Sequence, residues 1–193
     1  SGILMQNGSI VMEGSIVDTI SQYLSLGSSN QKIVDISYER ITAPVLTRVC
    51  IKDNEGRVVN SVPMGQPFGI QAEFKSPFPL SYPILGLRVN TPSGNSVIGI
   101  TSHIQNRSKL AGNVNDGVFN VMFLNPNLNQ GVYYITLGLA DDLIVHDRKT
   151  DIIKFEVTPV DIFGTGRIPS VQQAHIFTEG IWSLVSVDQA VWS

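Results

Sequence analysis

The chain is poor in cysteine, poor in charge and without a long apolar run. Cys50 is its single cysteine, which excludes an internal disulfide and a thiolate metal site and fits a reducing compartment. Charged residues are 15% of the 193, well under the usual share of about 25%. With 13 Lys+Arg against 16 Asp+Glu the formal net charge is −3, and no basic stripe exists. A binder of nucleic-acid backbone needs such a stripe, so no nucleic-acid partner is expected. The stretch 117–140 is free of charge, but it alternates and contains Asn, Gln and Pro, so it is not a membrane span. Ser1-Gly2 reads as an expression scar, and no basic-then-apolar leader follows it. The expectation is a soluble, cytoplasmic protein.

Catalytic patterns are missing as well. The sequence has no HExxH, CxxC, GxSxG or EF-hand loop. His103, His146 and His175 are its three histidines. His146 and Asp147 fall on one strand, where neighbours point to opposite faces, so they cannot act as a base and its orienting acid. Asp53-Asn54-Glu55-Gly56 starts like a calcium loop but continues Arg57-Val58-Val59, and reads as a turn. Gly164-Thr165-Gly166-Arg167 lacks the lysine and the following helix of a phosphate loop. Carboxylates such as Glu73 and Glu156 are scattered, with nothing to set them at glycosidase separation. No catalytic residue, metal site or cofactor is expected.

What is present is a 42% apolar content arranged in two patterns. In the first, Ile3–Met5 and Ser9–Met12 flank Gln6-Asn7-Gly8, a hairpin signal. Ser15 with Asp18 then opens a helix whose stripe is Ile16, Val17, Ile20, Tyr23 and Leu24. This unit, residues 1–27, cannot bury its own apolar face, and Gly27–Asn30 begins a linker that runs over 28–32.

From Ile33 the pattern becomes short alternating strands, which predicts an all-β domain over 33–193. Phe68, Ile70, Ala72 and Phe74 face one way along their strand. Leu85, Leu87 and Val89 do so on another, as do Phe119, Val121 and Phe123, and Tyr133, Ile135, Leu137 and Leu139. Ser76–Pro83 holds three prolines and is read as lying outside the sheets. Gln105–Asp116 is read as a polar loop. A final hairpin is expected from Asp142–Arg148 and Asp151–Val157, turning at Lys149-Thr150. The fold class is an immunoglobulin-like antiparallel β-sandwich, a jelly-roll-like variant being the alternative, preceded by the short hairpin and helix. Gly131-x-Tyr133 suits a tyrosine corner. The segment from about 160, with Trp182 and Trp192, is expected to dock on the sandwich or on a second copy.

The candidate site is then a sheet face rather than a cleft. Strands 84–90, 96–102, 131–140 and 151–157, placed side by side, would present Arg88, Asn90, Ser102, His103, Tyr134, Thr136 and Lys154, with Gly86 and Gly138 leaving flat space. Amide and guanidinium groups can pair with vicinal hydroxyls, and an aromatic ring can stack on the C–H side of a sugar. Carbohydrate is the ligand class expected.

Leu4–Gly14 followed by Ile20-Ser21-Gln22-Tyr23-Leu24 resembles the closing hairpin and helix of an ABC ATPase domain. Behind it, the Asp53–Gly56 turn, Asn90–Gly94, Gly131–Leu137, Phe155-Glu156-Val157 and Phe163–Gly166 through Trp182 resemble the C-terminal part of the Wzt family, ATPase subunits of O-antigen exporters. The resemblance implies a non-catalytic domain that recognises O-antigen polysaccharide on its lipid carrier, commonly by a modified non-reducing end. It also implies a homodimer with C-terminal strand exchange. Contact with the transporter's membrane subunit would come through the ATPase domain, at the cytoplasmic side of the inner membrane. The chain departs from the family in having no Walker A motif, and in Thr101-Ser102 where Asn-Thr is usual after Gly99-Ile100.

Overall fold

A computed structural model of the chain describes residues 2–6, 9–15, 19, 33–105, 113–142 and 144–182. Strands β1 (Gly2–Gln6) and β2 (Ser9–Gly14) pair antiparallel as the expected hairpin, its Asn7-Gly8 turn lying outside the described residues. Of the expected helix only its first residue, Ser15, and Thr19 are described. The Thr19 amide donates to the Ser15 carbonyl at 2.9 Å, the spacing of one helical turn.

The remaining strands make two facing sheets. The first has the order β10 (Val114–Phe123), β7 (Phe68–Leu80), β4 (Val45–Asp53), β3 (Ile33–Asp35), with β5 (Val58–Val59) also on β4. The second has the order β6 (Ser61–Pro63), β12 (Ile144–Thr158), β11 (Gly131–Asp141), β8 (Pro83–Asn90), β9 (Ser96–Thr101). Every pairing is antiparallel except that of β6 with β12. This is the immunoglobulin-like sandwich, and its alternation decides which residues form the core. Phe68, Ile70, Ala72 and Phe74 from one sheet meet Leu85, Leu87, Val89, Ile135, Leu137, Leu139 and Phe155 from the other, all essentially buried. Phe68 and Phe155 touch across the sheets with ring centres 5.3 Å apart. Each such side chain removed from water contributes about 1.5–3 kcal/mol.

Three expectations are corrected, the first being the loop read over Gln105–Asp116, whose last residues from Val114 belong to β10. Pro77 and Pro79 do lie within a strand, β7. They are tolerated because pairing with β10 jumps from Lys75↔Asp116 to Leu80↔Val114, so no regular ladder bond is asked of them. The last hairpin turns at Asp142, which takes a left-handed φ of 52°, and not at Lys149-Thr150. Residues 144–158 are one strand with two bulges, the smaller at His146, where two steps from Val145 to Asp147 face one from Ala140 to Leu139. At the larger, the strand takes four steps from Ile153 to Lys149 where β11 takes two from Ile135 to Leu137, and Asp151 absorbs the kink at φ 48°.

Several turns follow the sequence closely. Asp53 accepts hydrogen bonds from the amides of Glu55 and Arg57, closing a turn that Gly56 completes at φ 80°. Tyr133 forms the expected corner: its hydroxyl lies 2.9 Å from the Asn129 carbonyl, and 3.2 Å from that of His175 in the C-terminal segment. Burial pushes its pKa up to about 12. Cys50 is buried on β4, and desolvation raises its thiol pKa, so it is held unreactive. Among the described residues no helix is long and apolar enough to cross a membrane.

Candidate functional site

The outer face of the second sheet carries a groove of about 470 Å³. Its floor is glycine. Gly86 and Gly138 are directly paired across β8 and β11, and Gly99 on β9 pairs with Arg88. None of the three has a left-handed φ. A Cβ would find open space at Gly99 and only ordinary contacts, at 3.8 and 3.9 Å, at Gly86 and Gly138. The fold therefore does not require glycine at these positions; what glycine does here is keep the floor low.

Thr101, Thr136, Ile104, Gln105, Val145, Arg88 and Arg148 rise around that floor. Arg88 stands opposite Thr136 on one side of β11, and Arg148 stands opposite Gly138 on the other. Both arginines are exposed. The groove thus combines two guanidinium groups, the Thr101 hydroxyl and an amide with a flat apolar bed.

Of the residues singled out from sequence, Arg88 and Thr136 line this groove. Thr136 and Asn90 are only 5% and 6% exposed, and they belong to a closed hydrogen-bond network. Asn90 Nδ2 donates to Thr136 Oγ1 and to Asp151 Oδ1, each at 2.9 Å, and Asn90 Oδ1 accepts from Ser96 Oγ at 2.8 Å. The Asp151 amide donates to Thr136 Oγ1 at 3.0 Å. This network pins the larger β12 bulge to the sheet, so Asn90 serves the architecture. Tyr134 sits between Asn90 and Lys154 in register but is 8% exposed, leaving little ring for a sugar to stack on.

Ser102 and His103 do not extend β9. They open a short helix, α1 (Ser102–Gln105), because Ser102 Oγ accepts the Leu85 amide at 3.1 Å and draws the chain over the end of β8. His103 packs edge-on to Tyr82 with centres 5.8 Å apart. Arg148 is the residue that sequence reasoning missed. The misplaced hairpin hid it, and the alternation through His146, Asp147 and Arg148 was the signal that could have found it.

The inner side of the same stretch of β12 is structural. Asp147 Oδ2 accepts the buried Leu46 amide of the opposite sheet at 2.9 Å, and its other oxygen pairs with Lys149 at 3.0 Å. The pKa of Lys149 is raised first by a hydrogen bond with Tyr38, against the cost of burial, and then by Asp147. A second concavity, about 730 Å³, lies among loops and is lined by Met64, Gln66, Asn125, Phe163, Phe177 and Glu179.

Comparison with known families decides the class of the molecule. Residues 45–168, well over half of the chain, match the family described as the Wzt C-terminal domain. The chain belongs to that family. At family level the Wzt C-terminal domain is a non-catalytic, carbohydrate-binding domain of a transporter. A crystal structure of the C-terminal domain of Wzt superposes with a TM-score of 0.55 at 16% identity, covering 84% of this chain and 91% of that one. This agrees with the two-sheet fold. A Niemann-Pick type C2 protein from the Japanese carpenter ant gives a TM-score of 0.42 at 7% identity, covering 65% of this chain and 100% of that one. A CARDB domain from Pyrococcus furiosus gives 0.36 at 16%, covering 63% and 93%. No curated protein matches the sequence significantly.

Proposed function

We propose that this Wzt C-terminal domain holds O-antigen polysaccharide in the groove on the β8–β9–β11–β12 face and presents it for export, leaving it chemically unchanged. The observation that carries the reading is the glycine floor, kept flat where the fold would accept larger side chains. A pyranose lying on such a floor meets the Thr101 hydroxyl, the Gln105 amide and the guanidinium groups around its edge, a set suited to vicinal hydroxyls. A groove this shallow implies weak affinity, roughly micromolar to millimolar.

In this reading residues 1–27 are the tail of an ABC ATPase domain, 28–32 a linker and 33–193 the binding domain. Through the ATPase, the domain would meet the membrane subunit at the cytoplasmic face of the inner membrane. Chemical-shift mapping with O-polysaccharide from the organism that encodes the chain tests the proposal. The expected response clusters at Gly86, Gly99, Gly138 and Arg148, and Gly138→Val removes it while leaving the fold intact. A folded wild type with no groove response refutes it.

One observation favours a second reading, a dimerisation or protein-interaction domain that binds no glycan itself. Ile181 and Trp182 are almost completely exposed, at 104% and 93%. On that reading Trp182→Ser changes the oligomeric state measured by light scattering, and Gly138→Val does nothing to export. The homodimer, with or without exchange of the segment from about 160, is tested by the same measurement.

A further inference from the structure

We infer that the groove reads an anionic sugar residue, with Arg88 and Arg148 taking the acid group while the glycine floor carries the ring. This rests on the glycan-binding reading above and narrows its substrate class. The two arginines stand on strands that flank β11, offset by two residues. Strand spacing puts their Cα atoms about 12 Å apart, close enough for both side chains to converge above Gly138. Neither has a hydrogen-bond or ion-pair partner among the described residues.

No described acid lines the groove. Asp151, the carboxylate at the larger bulge, is engaged by Asn90 and Thr136. Asp147 points to the inner side, where it holds Leu46 and Lys149. Two like charges left together without a counter-ion repel, and a carboxylate or phosphate between them relieves that repulsion with charge-assisted, forked hydrogen bonds. Neutral hydroxyls alone would not call for a second guanidinium.

The test is titration of the full chain with D-glucose, D-glucuronate and glucose 6-phosphate, followed by backbone amide and arginine Nε–H resonances. The acids are expected to shift the groove signals at concentrations about tenfold below glucose, less so at high salt. Arg148→Gln and Arg88→Gln should each erase that advantage, so that the acids act at no lower concentration than glucose on the same variant. The order of the two acids assigns carboxylate or phosphate. If all three act at the same concentrations, or the acids act elsewhere on the surface, the charge inference is overturned and the glycan reading stands. If none shifts the groove, the charge inference falls, and the O-polysaccharide mapping decides the glycan reading.

Discussion

Replacing Asn90 by Asp changes one atom and no shape, yet it should be among the most damaging single substitutions on this sheet. Asn90 Nδ2 points at Asp151 Oδ1 from 2.9 Å. In N90D an oxygen faces that oxygen instead. Two ionised carboxylates roughly 3 Å apart repel by about 5–6 kcal/mol at an effective dielectric constant near 20. Taking up one proton avoids this. From an ordinary carboxyl pKa of about 3.9, that costs about 4 kcal/mol at pH 7, and it restores one bond. The proton route is cheaper, so it sets the magnitude: about 4 kcal/mol lost at pH 7. Over this window the folded variant holds one more proton than the unfolded chain, so its deficit shrinks as pH falls, by about 1.4 kcal/mol per unit, and is nearly gone by pH 4. Asn90→Leu, which loses the bonds without the repulsion, should cost about 2 kcal/mol at any pH in the range. Urea denaturation followed by circular dichroism at pH 7, 5.5 and 4.5 reads all three proteins. A deficit for N90D below about 1 kcal/mol at pH 7, or one indifferent to acid, would refute the network and return Asn90 to the ligand surface.

Tyr133→Phe should lose about 1–2 kcal/mol by leaving the Asn129 and His175 carbonyls without the hydroxyl. The folded pKa of this hydroxyl, about 12, lies above the ordinary 10, so its stabilising effect is complete below pH 10 and is lost as pH rises toward 12. Denaturation midpoints between pH 9 and 11.5 should show that loss in the wild type and not in Y133F. Asp147→Ala strips the buried Leu46 amide of its acceptor and should cost about 2 kcal/mol in thermal or urea melts, with Asp147→Asn intermediate. Gly138→Val should leave the melting temperature unchanged or slightly higher, since a β-branched side chain suits a strand and its Cβ would make only an ordinary contact there. Its loss is expected in glycan titrations alone.

The parts of the fold that follow from period-two alternation were legible in the sequence. Phe68 to Phe74 and Tyr133 to Leu139 announced their buried faces, and the four-strand neighbourhood of the groove came with them. Where the chain departs from period two, local reasoning failed for an identifiable cause. A bulge and a turn both collect small polar residues, so Lys149-Thr150-Asp151 read as a hairpin when it is a kink in a continuous strand. The prolines of β7 misled likewise, because only the pairing register reveals that their missing amides go unused. Within the site, Arg88, Gly86 and Gly138 were visible from parity alone. The division between groove-facing Arg88 and network-bound Asn90, two residues apart on one face, depends on Ser96 and Asp151 arriving from other strands.

The short run Asp147-Arg148-Lys149 carries a mechanical consequence. Arg148 looks out on the groove, while its two neighbours reach inward: Asp147 grips the Leu46 amide, and Lys149 lies over Tyr38, whose hydroxyl bonds the Leu46 carbonyl. A pull applied at the Arg148 side chain would pass through one strand into both layers, loading the joint between them in shear instead of peeling an edge.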